Sequence, residues 1–259
     1  MRKDVGYKVK VSHSLPEHPV IVICLPGDGY VGKFCAESLK TNTAAEVAVT
    51  FYPFDFPPRV TVEKGTLVIQ GFQFYIGRIN CRDLVIVTTD LKIFEVNVIL
   101  SVCGQLAKYI KDLAPQEVLI LDACVPVKDF RGNSITQILV NTPPVELWKE
   151  KIEAFSQTKV NKDKFFLMLA VALKREQVPA RGIICETSGM DIDPEGAKKL
   201  LATLQGHPAF PVQFDHQKME TLASRIRRDL EKLVESEQEK SREENNKKKQ
   251  DNSKLHYIQ

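Results

Sequence analysis

The chain has 259 residues, 43% hydrophobic and 27% charged, enough to bury the core of one large α/β domain or two small ones. Its 36 basic and 33 acidic residues leave a net charge of +3, so no global field draws it to nucleic acid or an anionic membrane. The opening segment MRKDVGYKVKVSHS lacks the apolar centre of a signal peptide, and the longest apolar run, Phe165 to Leu173, is too short to span a bilayer. The expectation is a cytoplasmic chain with neither a nucleic-acid nor a membrane partner.

The first predicted element is a strand over Val20–Leu25, apolar on both faces as a central strand must be. The turn Pro26-Gly-Asp-Gly29 leads into a helix from about Tyr30 to Lys40, with Val31, Phe34, Cys35 and Leu39 on its inner face. A strand over Glu46–Tyr52 ends at Pro53. The segment from Phe51 to Arg59 is dense in aromatic residues and proline, and proline excludes regular structure there. It reads equally as core packing with a rigid loop or as an exposed contact patch. Alternating runs at Arg59–Glu63, Thr66–Gln70 and Gln73–Ile79 predict antiparallel strands joined at Gly65 and Gly71.

The parallel pattern then resumes. Leu84–Thr89 is a buried strand ending at Asp90, Glu95–Leu113 a helix stopped by Pro115, and Glu117–Asp122 another buried strand. A strand at Ser134–Val140, a helix beginning near Pro143, a buried helix at Asp163–Glu176 and a strand at Arg181–Glu186 follow. Asp193-Pro194-Glu195 has the order of a helix start, and that helix runs to Gly206. A last amphipathic helix carries Met219 through Leu233. Strands alternating with helices of this length predict a mostly parallel sheet covered on both faces.

Six cysteines, none in a Cys-x-x-Cys pair and several inside apolar runs, read as buried reduced thiols. The five histidines show no metal-ligand spacing, and neither a metal nor a catalytic constellation is expected. Ser188, at a strand end, lacks the nucleophile-elbow pattern of a hydrolase and reads as buried or turn-forming. One motif does resemble chemistry. Gly27, Gly29 and Gly32 follow a strand and open a helix, as in a dinucleotide fingerprint, and with Lys33 they come one residue short of a P-loop. However, Phe34 replaces the hydroxyl residue that would bind magnesium, and Asp28 adds a negative charge that disfavours phosphate. A ligand loop and a tight strand-to-helix turn both remain open for Gly27, Asp28, Gly29, Gly32 and Lys33.

From Glu235 to Lys254 the chain holds six charges of each sign and no apolar residue. As a flexible coil it would span roughly 25 Å; as a prolonged helix, about 30 Å. Leu255, His256, Tyr257, Ile258 and Gln259 then restore apolar side chains at the tip. The expected organisation is a domain over 1–234, a charged linker over 235–254 and a docking tip over 255–259.

Leu25-Pro-Gly-Asp-Gly-Tyr-Val-Gly32, Phe56-Pro-Pro-Arg-Val60, Val87-Thr-Thr-Asp90 and Glu186-Thr-Ser-Gly-Met190 with Asp193-Pro-Glu-Gly-Ala-Lys-Lys-Leu-Leu201 resemble, in order and spacing, the proteasome assembly chaperone family in its archaeal form, homologous to the eukaryotic proteasome assembly chaperone two. The resemblance implies a three-layer α/β/α sandwich like that of nucleoside phosphorylases and hydrolases, without catalysis and without a cofactor. It also implies a homo-oligomer that engages proteasome α-subunits, as an assembly chaperone or an ATP-independent activator. Such partners dock by a C-terminal hydrophobic–Tyr–any-residue motif. Here Tyr257 is third from the end, and Ile258 stands where tyrosine is expected. The alternative is a nucleotide- or nucleoside-binding enzyme or sensor that uses Gly27–Lys33.

Overall fold

A computed structural model describes residues 7–54, 60–63, 65–80, 82–90, 95–126, 130, 132–142, 152–154, 164–189, 192–207, 209–210, 220–225 and 227–228. Two compact units divide at His216/Gln217. In the second, residues 220–225 and 227–228 are helical, in keeping with the predicted last helix.

The first unit is built on a nine-stranded sheet. In chain order its strands are β1 (Tyr7–Val11), β2 (Val20–Cys24), β3 (Glu46–Pro53), β6 (Phe72–Ile79), β7 (Arg82–Thr88), β8 (Glu117–Cys124), β9 (Ile135–Val140), β10 (Glu153–Ala154) and β11 (Ala180–Glu186). Across the sheet they lie β1-β3-β6-β7-β2-β8-β11-β9-β10, while β4 (Val60–Glu63) and β5 (Thr66–Ile69) form a separate hairpin. The helices are α1 (Val31–Thr43), α2 (Val96–Asp112), α3 (Phe165–Arg175) and α4 (Pro194–Gln205).

The continuous apolar runs form the centre, as expected of strands buried on both faces. β7, β2, β8 and β11 are mutually parallel, with Val22 opposite Ile86 on one side and Leu119 on the other. Helices α1 and α4 pack together over one face, and α2 and α3 over the other. This is the expected three-layer α/β/α arrangement. The sheet is more evenly mixed than the mostly parallel one predicted, because β1, β3 and β6 extend it through antiparallel pairings and β9 lies antiparallel to β11. The β6–β7 pairing follows from a short connection, since only two residues separate the strands and a parallel crossover needs a dozen or more.

The aromatic segment divides between its two readings. Phe51 is buried, its ring 4.7 Å from Tyr7 and 5.4 Å from Tyr109, and this cluster holds β1 on the sheet. Phe54 is exposed, and residues 55–59 lie outside the described ones. The helix predicted from Pro143 also falls outside them. The hairpin turns Val62, Leu67 and Ile69 outward. No helix among the described residues is long and apolar enough to cross a membrane. Cys24, Cys35, Cys103, Cys124 and Cys185 are buried free thiols, as predicted.

Candidate functional site

The parallel strands β7, β2, β8 and β11 all point their C-terminal ends to one edge, where open α/β sheets place their ligands. The glycine motif lies there. Residues Asp28–Tyr30 form a single 3₁₀ turn before α1, with Gly29 at φ 60° and Tyr30 at φ 54°. Gly29 is required at the first of these left-handed positions, where a side chain would also meet Thr187 and Asp193. Gly32 lets α1 approach the sheet: a β-carbon there would stand 2.3 Å from the Leu25 carbonyl oxygen.

The charged residues around the turn are paired within the chain. Lys33 Nζ donates to Asp90 Oδ1 at 2.5 Å. Asp28 Oδ2 accepts from Lys164 Nζ at 2.6 Å and from the Val125 backbone N–H at 3.1 Å. Asp193 caps α4 by accepting the Gly196 N–H, and its other oxygen accepts from Asn133 Nδ2 at 2.7 Å. Its own backbone N–H donates to the Gly29 carbonyl, which ties the turn to α4. Asp122, at the end of β8, is buried; desolvation, with a further push from Asp28, raises its carboxyl to about 7 against the partial opposition of the Ala123 N–H and Lys164. Among the described residues, both ammonium groups at the turn, those of Lys33 and Lys164, are therefore already engaged by carboxylates of the chain.

The predicted Gly27, Asp28, Gly29, Gly32 and Lys33 are thus brought together, each with a contact inside the chain. Asp90 and Asp122 join them from neighbouring strand ends. Ser188 is exposed, contrary to the buried reading; the enclosed hydroxyl is that of Thr187, whose backbone N–H bonds the Cys124 carbonyl. Leu255, His256, Tyr257, Ile258 and Gln259 lie outside the described residues. No group of three or more metal-ligating side chains occurs among the described residues.

Sequence reading missed two arrangements. Lys164 reaches Asp28 from 136 residues away, from the N-cap of α3. At the opposite edge of the sheet, Arg181 is 1% exposed, with Nε 3.4 Å from Glu117 Oε1 and Nη1 donating to Gln137 Oε1. His207 Nε2 stands 3.0 Å from the other Glu117 oxygen, and its Nδ1 accepts the Ala209 N–H at 3.1 Å. The available signal was Arg181 at the head of an apolar strand, since a buried charge demands a partner.

The sequence profile of the PAC2 family matches residues 21–234. The chain belongs to the PAC2 family. Among solved structures, the PAC2-family chain is similar to PbaB of Pyrococcus furiosus, an archaeal proteasome activator, with a TM-score of 0.71 at 18% identity over 88% of this chain and 98% of that one. PbaA of the same organism, an archaeal homologue of proteasome-assembly chaperone, superposes with a TM-score of 0.67 at 17% identity, covering 87% of this chain and 96% of that one. A proteasome-assembly chaperone homologue of Mycobacterium tuberculosis gives 0.52 at 14% identity, with 82% and 94% covered. At these identities the shared property is the fold. No curated protein matches the sequence significantly. Within this PAC2-family fold, the strand-end turn is a cross-linked junction of β2, β8, α3 and α4.

Proposed function

We propose that this chain is a non-catalytic, cofactor-independent proteasome assembly chaperone or ATP-independent activator that binds the α-ring of the core particle. The observation that carries the reading is the PAC2-family match over residues 21–234, nearly the whole of the folded part. The similar structures from Pyrococcus furiosus, described as a proteasome activator and as an assembly-chaperone homologue, support it. The proposed docking element is the tip Leu255–Gln259, with Tyr257 as its anchor, joined to the body by the charged segment 235–254. In a cytoplasmic homo-oligomer several tips would act together, so weak single contacts would sum by avidity.

Removing Leu255–Gln259 is expected to abolish co-purification with proteasome α-rings while leaving the melting temperature and the solution mass unchanged. Affinity capture from native lysate, with and without the last five residues, checks this. Undiminished capture of α-subunits by the shortened chain would remove the tip from the mechanism.

The nucleotide reading of Gly27–Lys33 predicts stabilisation by its ligand, because a molecule that binds only the folded state raises the melting temperature. The carboxylates of Asp90 and Asp28, which already engage Lys33 and Lys164, favour the opposite result. Melting curves with nucleotides, nucleosides and dinucleotides, with and without magnesium, are expected to coincide with that of the chain alone.

A further inference from the structure

Among the described residues, few titratable groups act on Asp122. Its carboxyl lies on the same side of β8 as Val118, Ile120 and Cys124, towards α2 and α3, and the residue is 5% exposed. Its one hydrogen bond among the described residues is local: Oδ1 accepts the Ala123 N–H at 2.8 Å. The turn between β2 and α1 rests directly on it, since a β-carbon built at Gly27 would lie 2.1 Å from Oδ1. From that turn Asp28 presents a second carboxylate, and from the N-cap of α3 Lys164 presents an ammonium bonded to Asp28. The remaining titratable neighbours among the described residues are thiols, Cys124 on the same side of the sheet as Asp122 and Cys24 and Cys35 on the side of α1 and α4. Burial holds Cys24 of β2 and Cys35 of α1 well above the usual thiol range and Cys124 of β8 at about 12, so all three stay neutral near physiological pH. On β11 the residue opposite Asp122 is the apolar Ile184.

Among the described residues, one ammonium, that of Lys164, acts on both carboxyls, and it is bonded to Asp28. We propose that Asp122, Asp28 and Lys164 form a proton-controlled latch that fastens the β2–α1 turn to the N-terminus of α3. With Asp122 neutral, Lys164 belongs to Asp28, and the turn is held at one end by this bridge and at the other by the Asp193-to-Gly29 bond. Loss of the Asp122 proton places a desolvated negative charge beneath Gly27 and beside Asp28. The two carboxylates then compete for Lys164, and the turn loosens from β8. The latch acts at the sheet edge where α/β proteins hold their ligands, so proton uptake and exposure of that edge are coupled.

A carboxyl raised in the folded state binds its proton more tightly there than in the unfolded chain. Its contribution to stability is present at acidic pH and is lost as pH rises through the folded midpoint, here between about 4 and 7. The test uses the full chain with ¹³C-labelled aspartate. The Asp122 carboxyl signal is expected to titrate near 7. Asp28→Asn should move that midpoint to lower pH, and Lys164→Met should move it higher. Amide exchange at Gly27–Tyr30, corrected for intrinsic rate, is expected to accelerate above the midpoint in the native chain and to stay level in Asp122→Asn. The same variant should gain on the native chain by about 5–10 °C in melting temperature between pH 5 and pH 8. An Asp122 signal titrating in the ordinary carboxylate range would overturn the proposal, as would identical pH dependence of exchange in Asp122→Asn. If that variant does not fold, the shift of the midpoint in Asp28→Asn decides: no movement means that the two carboxyls do not share Lys164, and the latch is refuted.

Discussion

Replacing Arg181 with alanine is expected to lower the unfolding free energy by about 3–5 kcal/mol, the range for removing one partner of a buried ion pair. The guanidinium is 1% exposed and faces Glu117, whose side chain is 13% exposed. Without Arg181, Glu117 keeps the His207 ring nitrogen 3.0 Å away and loses the opposing guanidinium. Part of the loss would come from the aliphatic stem, which packs as apolar surface. Two further variants separate these causes. Arg181→Met retains the stem and should restore little, because the carboxylate is still unpaired. Changing Glu117 to methionine in the same chain should restore most of the stability, because the buried carboxylate is then gone. Denaturant unfolding at one pH, with unchanged m-values, makes the comparison valid. Full stability in Arg181→Ala would mean that Glu117 reaches water once the arginine is gone.

The central strands were legible in the sequence because continuous apolar runs such as Val20–Cys24 and Leu119–Leu121 can lie only between two layers. The layer architecture followed from their alternation with helices. The edges were not legible. Tyr7–Val11 alternates lysine with valine and reads as surface, yet it pairs with β3 because Tyr7 joins the Phe51 ring cluster. β9 lies between β11 and β10 by a return of the chain that no local pattern encodes.

The site divides in the same way. The glycines, Asp28, Asp90 and Asp122 stand at strand ends whose positions periodicity reveals. Lys164 is a lysine at a helix start with nothing nearby to mark it, and its partner lies across the fold. Local sequence predicts which residues reach the edge; only the fold decides which of them meet.

Changing Gly32 to alanine is expected to destabilise the chain by about 3 kcal/mol or more, at or above the upper end for overpacking a well-filled interior. The added carbon would lie 2.3 Å from the Leu25 carbonyl oxygen, 3.0 Å from the Leu25 nitrogen and 3.1 Å from the Leu121 carbonyl oxygen. All three are backbone atoms, two of Leu25 just past β2 and one of Leu121 within β8, so no rotamer change relieves the contact. Either α1 lifts from the sheet or the two central strands move apart. Lifting α1 also strains the bond from Cys35 to the Ala197 carbonyl and the contact with α4 on the same face. Gly104 of α2 is the matched control. A β-carbon there meets nothing within 4 Å, so alanine should stabilise by about 0.5–1 kcal/mol through helix propensity alone. Unfolding curves of the two variants in the absence of any ligand distinguish packing from recognition. A Gly32→Ala chain as stable as the native one would show that α1 tolerates displacement and would return Gly32 to the ligand-loop reading. A large loss without ligand, beside a gain at Gly104, means that Gly32 is fixed by the approach of α1 to β2 and β8.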